Sequence, residues 1–193
     1  MRIPNAGRRR YQPSQQRAID EQVTSWLAAG IIEVSPPGSI PVISALLCVP
    51  KKGGTFRICI DPRPLNQATL ADATVMPLLE DVLDQLALSS SFTTLDLSQG
   101  YLQLAIDPGS RHLVSFATGA GIFQFTRLPF GLRNACAIFN RTLRSAESAA
   151  GLKDIVAGYF DDLTVHTIAG NPSTHIAAVE RVFKFLDQFH LNL

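Results

Sequence analysis

The sequence predicts a mixed α+β fold centred on one antiparallel sheet backed by two helices, a split βαβ arrangement. Two observations predict it. Two β-prone runs, 92–97 and 155–165, are interleaved with two helical stretches, 134–149 and 172–189. The second run folds on itself at Asp161-Asp162, a carboxylate doublet between the apolar stretches 155–160 and 163–165, as at the tip of a hairpin. Taken alone, the doublet is either an Asp-rich turn or part of a divalent-metal site that needs a third acid from elsewhere.

The chain has 193 residues, enough for one domain or for two small lobes sharing a core. Hydrophobic residues make up 46% and charged residues 17%, which rules against disorder. Lys plus Arg total 17 and Asp plus Glu total 16, so net charge neither suggests nor excludes a nucleic-acid partner. The distribution is more informative. Arg2, Arg8, Arg9, Arg10 and Arg17 all precede the first acid, Asp20. Residues 1–13 therefore form a basic arm, either a solvated tail or a phosphate contact. Cys48, Cys59 and Cys136 are scattered, without CxxC spacing, as in a reduced intracellular chain without structural zinc. No 18-residue apolar run is present, so no transmembrane helix and no membrane partner are expected.

Residues 14–29 form the first predicted helix. Ile19, Val23, Trp26 and Leu27 make one apolar stripe, with Ser14 as cap and Gly30 as left-handed stop. Strands are expected at 44–49 and 55–60, joined by the turn Pro50-Lys51-Lys52-Gly53-Gly54. Lys51 and Lys52 then sit at a hairpin tip with Arg57 on the returning strand, a solubilising turn or a grip for a polyphosphate. Asp61-Pro62-Arg63-Pro64-Leu65-Asn66 is expected to be irregular because of its prolines. A helix is expected over 77–88, with Leu79, Val82, Leu83 and Leu86 inward and Glu80 and Asp81 in its first turn.

In the strand 92–97, period two puts Leu95 and Leu97 on one face and Phe92, Thr94 and Asp96 on the other. An acid in a β-prone run is costly to bury unless it is paired or binds metal. Asp96 is the third carboxylate. A strand is expected to resume at 101–106, and two more at 113–118 and 122–127. Asn134 caps a helix to about residue 149, with Ala135, Ile138, Phe139, Thr142 and Ala146 inward. Asn171-Pro172 opens the last helix, striped by Val179, Val182, Phe183 and Leu186. His112, His166, His175 and His190 have no partner pattern and are taken as structural or surface residues.

These residues resemble the reverse transcriptase domain of LTR retrotransposons, the gypsy type most closely. Five blocks run in family order over about residues 11–193. They are Ala29-Gly30-Ile31-Ile32; Phe56-Arg57-Ile58-Cys59-Ile60-Asp61 with Arg63 and Leu65-Asn66; Leu95-Asp96-Leu97-Ser98-Gln99-Gly100-Tyr101; Leu128-Pro129-Phe130-Gly131-Leu132-Arg133-Asn134-Ala135; and Tyr159-Phe160-Asp161-Asp162. The resemblance implies polymerase fingers at about 14–90 and 112–130, and a palm built on the split βαβ sheet at about 91–111 and 131–193. It leaves no counterpart here for thumb, connection, RNase H or integrase.

The implied activity is template-directed DNA synthesis on an RNA or DNA template, from a primer and deoxynucleoside triphosphates. Two Mg²⁺ ions, replaceable by Mn²⁺, are implied at Asp96, Asp161, Asp162 and the Leu97 carbonyl. Tyr101 matches the aromatic that excludes a ribose 2′-OH. Arg111, with Lys51 or Lys52, matches the triphosphate grip, and Arg57 stands with them as a nucleotide-binding residue. Phe130 matches a lining residue of the nucleotide pocket, and Tyr159 and Phe160 match residues at the primer end. The setting implied is the cytoplasm or a virus-like particle, with the rest of a polyprotein as partner.

The sequence departs from the family at Pro62, at Cys136 (where proline is usual), at Leu113-Val114-Ser115-Phe116, which lacks a cation, and at Gly158 within a strand. Two alternatives stand beside the enzyme: a remnant or domesticated fragment that binds nucleic acid without turnover, and an unrelated metal-binding α/β module.

Overall fold

The computed structural model describes residues 3, 5, 9–73, 78–159, 162–168 and 171–193, the side chain of Tyr159 excepted. The expected residues Phe160 and Asp161, and the helix start at Pro77, lie outside these. The chain divides into two compact units, Met1–Ala71 with Leu104–Ala135, and Asp72–Gln103 with Cys136–Leu193. Among the described residues no helix is long and apolar enough to cross a membrane.

The first unit opens with helix α1 (Pro13–Ala28). Pro13 stands at its first position and Gln15 accepts a hydrogen bond from the Gln12 N–H at 3.0 Å, so Gln12, not Ser14, closes the end. Gly30 (φ 65) supplies the left-handed stop. Ile19, Val23 and Trp26 are buried; Leu27 is exposed, one position off the stripe.

Strands β1 (Ile32–Val34), β2 (Ile43–Pro50) and β3 (Phe56–Asp61) follow, and β5 (Ser115–Thr118) and β6 (Gly121–Phe125) come later in the chain. They form one sheet ordered β1-β6-β5-β2-β3, in which only β2 and β5 pair in parallel. The core is aromatic. Trp26 meets Phe125 edge-on at 5.3 Å and Phe116 at 6.2 Å, and Phe116 stacks on Phe123 at 5.7 Å.

Two further expectations fail in this unit. The stretch after β3 is not irregular but holds the short helix α2 (Arg63–Ala68). Pro62 caps it and Pro64 stands in its first turn, where no N–H needs a partner. Arg63 donates back to Asp61 at 2.7 and 2.6 Å, and these bonds hold the Asp61 carboxyl below its usual range. Residues 113 and 114 are not strand but the end of a 3-10 helix, Pro108–Val114, which Asp107 caps by accepting from the Gly109 N–H at 2.9 Å.

The second unit contains α3 (Leu79–Leu86), β4 (Ser89–Asp96), α4 (Ala135–Ala149, entering from the first unit at its first residue), β7 (Val156–Tyr159), β8 (Asp162–Ile168) and α5 (Pro172–Gln188). Its sheet is antiparallel, ordered β4-β8-β7. This is the split βαβ sheet expected from the sequence. Helix α5 is pinned to it by His175, whose ring nitrogens bond Thr93 Oγ1 on β4 at 2.9 Å and Thr167 Oγ1 on β8 at 3.0 Å. Helix α3 is tied to β7 by Gln85 Nε2, which donates to the Val156 carbonyl at 3.2 Å and the Lys153 carbonyl at 2.9 Å.

Helix phases differ from expectation in detail. In α5 Phe185 is buried and Phe183 exposed; in α4 Leu143 and Glu147 are buried and Thr142 exposed. In α3 only Val82 is buried, and Leu79 and Leu83 face outward. The expected strand 101–106 is instead a 3-10 turn, Gly100–Gln103, with Ala105 bridging singly to Arg127. Gln99, at φ 51, reverses the chain there and ends any ladder.

Candidate active site

Asp96 closes β4, exposed on the face that carries Phe92 and Thr94, while Leu95 and Leu97 are buried on the other. Period two in the strand therefore places a carboxylate outward and anchors it by an apolar residue on either side. Asp162 opens β8 and is also exposed. In the register of β4 and β8, Asp96 stands directly opposite Asp162, and in the hairpin Asp162 stands opposite Tyr159. Only Phe160 and Asp161, outside the described residues, separate Tyr159 from Asp162. Like charges directly opposite on a sheet repel, and neither Asp96 nor Asp162 has an ion-pair partner among the described residues.

Among the described residues no three His, Cys, Asp or Glu side chains gather as a metal cluster. Two of the three expected acids are nevertheless brought face to face at one end of the sheet. Facing, exposed carboxylates without a counter-charge are the donor set that a hard divalent cation takes. The residues present fit such an ion.

Tyr101 lies half-buried in the 3-10 turn after Asp96, its ring edge-on to Phe139 at 5.3 Å. Behind the hairpin, on α4, Glu147 is 6% exposed and its Oε1 has no hydrogen-bond partner among the described residues. Burial pushes its carboxyl up to about 7, partly opposed by the charge of Arg144. A Cβ placed on Gly158 of β7 would lie 3.7 Å from that oxygen.

The remaining expected residues lie in the first unit. Lys51 and Lys52 are exposed in the turn between β2 and β3, closed by the Lys51 N–H donating to the Thr55 carbonyl at 2.8 Å. Arg57 is exposed on β3. None of the three has an ion-pair partner among the described residues. Arg111 does. Its Nη1 donates to both oxygens of Glu33 at 3.2 Å, and its Nε to the Ile106 carbonyl at 3.2 Å. Gln124 Nε2 donates to the same Glu33 at 2.7 Å. That bond first, then Arg111, holds the Glu33 carboxyl below its usual range.

Phe130 is exposed in the bend that follows the buried Leu128 and Pro129. Gly131 (φ 93) makes that bend, in a conformation that L side chains rarely adopt. Asn66, which sequence reasoning assigned no role beyond its motif, clamps it. Its Nδ2 donates to the Gly131 carbonyl at 2.8 Å, and its Oδ1 accepts from the Arg133 N–H at 2.8 Å. The sequence signal was the Leu65-Asn66 block itself. Asn66→Ala is expected to lower stability by about 1–2 kcal/mol, since two bonds on a partly exposed side chain are lost. Urea unfolding of the two chains measures it.

A family model described as reverse transcriptase (RNA-dependent DNA polymerase) matches residues 49–193. With most of the chain covered, the protein belongs to the reverse transcriptase family. It is 40% identical over 159 residues to the Pol polyprotein of transposon 412 from Drosophila melanogaster, covering 79% of this chain and 12% of that polyprotein. It is 35% identical over 174 residues to the gypsy Pol polyprotein of the same fly, covering 87% and 16%. To the Tf2-3 polyprotein of Schizosaccharomyces pombe it is 29% identical over 180 residues, covering 93% and 13%. The chain thus spans 12% to 16% of the length of these relatives.

Among solved structures it is similar to the protease–reverse transcriptase of prototype foamy virus. The TM-score is 0.81 at 24% identity over 97% of this chain and 24% of that one. A foamy viral protease–reverse transcriptase in complex with double-stranded DNA matches with a TM-score of 0.81 at 22% identity, over 99% of this chain and 33% of that one. The fold is the fingers–palm of reverse transcriptases.

Proposed function

We propose that this chain is the catalytic core of an RNA-directed DNA polymerase, extending a primer with deoxynucleotides on an RNA or DNA template. The observation that carries the reading is the Asp96–Asp162 pair, two exposed carboxylates facing across β4 and β8 in a member of the reverse transcriptase family. Asp96, Asp161, Asp162 and the Leu97 carbonyl would hold two Mg²⁺ ions, or Mn²⁺ in their place. Bound there, such ions activate a primer 3′-hydroxyl and neutralise the leaving pyrophosphate.

The chain's own residues supply position and charge, which a phosphoryl transfer needs most. The strand pair β4–β8 fixes the separation of Asp96 and Asp162 on rigid backbone, with Leu95 and Leu163 buried beneath them. Lys51, Lys52 and Arg57 of the first unit, which we read as fingers, would bind triphosphate oxygens. Arg111 joins them only by sharing or leaving Glu33, so it is the weaker contact. Tyr101, held edge-on by Phe139, would stand where a ribose 2′-OH would be refused. Phe130 would line the nucleotide pocket, and Tyr159 and Phe160 the primer end. Residues 1–13 would follow as a basic arm, and the second unit is read as the palm. The longer transposon polyproteins among the relatives support a polyprotein context. The three free cysteines go with an intracellular setting, cytoplasm or virus-like particle.

Primer extension on an RNA template, with Mg²⁺ and deoxynucleoside triphosphates, tests the reading against Asp161→Asn. The unsubstituted chain is expected to extend and the variant not to. Equal incorporation by both sinks the mechanism. Gel-shift binding without extension by either favours a nucleic-acid-binding module instead.

A further inference from the structure

The main chain just after Asp96 is held by a side-chain amide. Both backbone groups of Ser98 are engaged. Its N–H donates to the Asn192 carbonyl at 3.0 Å, and its carbonyl accepts from Gln103 Nε2 at 2.6 Å. The same Nε2 donates to the Asn192 carbonyl at 2.9 Å, and Gln103 Oε1 accepts from the Asn192 N–H at 2.7 Å. A glutamine amide has two donor hydrogens and an acceptor oxygen. Here it stands in for a missing strand, pairing with Asn192 on one side and Ser98 on the other.

Both ends of this clamp are fixed. Gln103 ends the 3-10 turn, closed by the Leu102 N–H donating to the Gln99 carbonyl at 2.8 Å. Asn192 follows α5, where His190 (φ 54) turns the chain out of the helix and the Leu191 N–H donates to the Leu186 carbonyl at 2.8 Å. Leu97, between Asp96 and the clamped Ser98, is buried. The backbone that follows Asp96 is thus tied on both sides to elements that are themselves anchored.

We infer that Gln103 is a positioning residue for the metal site, its amide fixing Leu97 and Ser98 so that the Leu97 carbonyl and the Asp96 carboxylate are presented together. This rests on the reading of Asp96 as a metal ligand. Its consequence is that cation affinity depends on a side chain that touches neither ion nor substrate, and on the segment after α5.

Gln103→Met keeps the length of the side chain and removes the amide. With Mn²⁺ alone as the probe, titrated by electron paramagnetic resonance, the Kd of the full chain is expected to rise roughly 10-fold, as when a ligand loses its supporting hydrogen bonds. Amide exchange at Ser98 and Asn192 should quicken in the same variant. Asn192→Pro removes the N–H from the other side and should raise the Mn²⁺ Kd likewise and quicken exchange at Ser98. The double variant should add nothing, because the two residues act as one unit.

Faster exchange with unchanged Mn²⁺ affinity overturns the inference, and so does unchanged exchange in Gln103→Met. Asp96→Asn separates this from the underlying reading. If that variant binds Mn²⁺ as tightly as the unsubstituted chain, Asp96 is no ligand and the metal reading itself fails. If Asp96→Asn loses the ion while Gln103→Met keeps it, only the inference falls.

Discussion

Asp96→Asn is expected to lower primer extension roughly 1,000-fold, the scale on which one well-placed electrostatic group acts, while its melting temperature holds or rises. The two halves of this expectation come from the same geometry. Asp96 and Asp162 face each other across β4 and β8, and both are exposed. Without a cation between them, the pair contributes repulsion, not stability. Replacing one carboxylate by an amide of the same shape removes that repulsion and leaves the buried neighbours Leu95 and Leu97 in place. A residue that costs the fold something and is kept for chemistry behaves this way. Extension assays and differential scanning calorimetry on the same preparations provide the check. A loss of activity that merely tracks a fall in melting temperature would argue that Asp96 is structural.

Glu147 should give the largest pH effect on stability. Its carboxyl is buried and raised to about 7 from 4.5, with burial as the first cause. Between those values the folded chain holds a proton that the unfolded chain has released. Stability therefore falls as pH rises from about 4.5 through about 7, and stays low above it. The full span is about 3 kcal/mol on the scale of about 1.4 kcal/mol per pKa unit.

Glu147→Met fills the same space without a charge. It should match the unsubstituted chain near pH 4.5 and exceed it by about 2–3 kcal/mol at pH 8. Urea titrations at the two pH values measure the difference. His166 acts in the opposite sense. Burial lowers its pKa, so the unfolded chain takes up the proton first as pH falls through about 6.5, and stability drops on the acid side. Comparing variant with parent at each pH cancels this background. A difference that does not change between the two pH values would show that Glu147 carries no buried proton.

The strand that carries Asp96 was legible because period two is a local property. Leu95 and Leu97 inward and Asp96 outward follow from the alternation alone, and the doublet at 161–162 marked the hairpin. Helices were legible as helices and their phase in part, since Ile19, Val23 and Trp26 of α1 and Val182 and Leu186 of α5 are buried as expected. A stripe at Phe183 and a stripe at Phe185 are both available to α5, and only the position of the sheet beneath selects the second. The short helix Arg63–Ala68 was hidden because its prolines look like breakers until one sees that they occupy its cap and first turn. Pairings across long stretches of chain had no local signal at all. Nothing near Arg111 announces Glu33, and nothing near Gln103 announces Asn192.

The connectivity of the two units bears on the order in which the molecule comes into being. The first unit is complete once residue 135 has been made, whereas the second needs the chain to its last helix. Strand β4 emerges early, yet its partner β8 is synthesised only after α4 and β7. Until then β4 carries an unpaired edge, and closing so long an intervening stretch is the slow kind of folding event. The aromatic sheet of the first unit can therefore mature while Asp96 still waits for Asp162. The facing of the two carboxylates is thus completed only after α4 and β7 have been made.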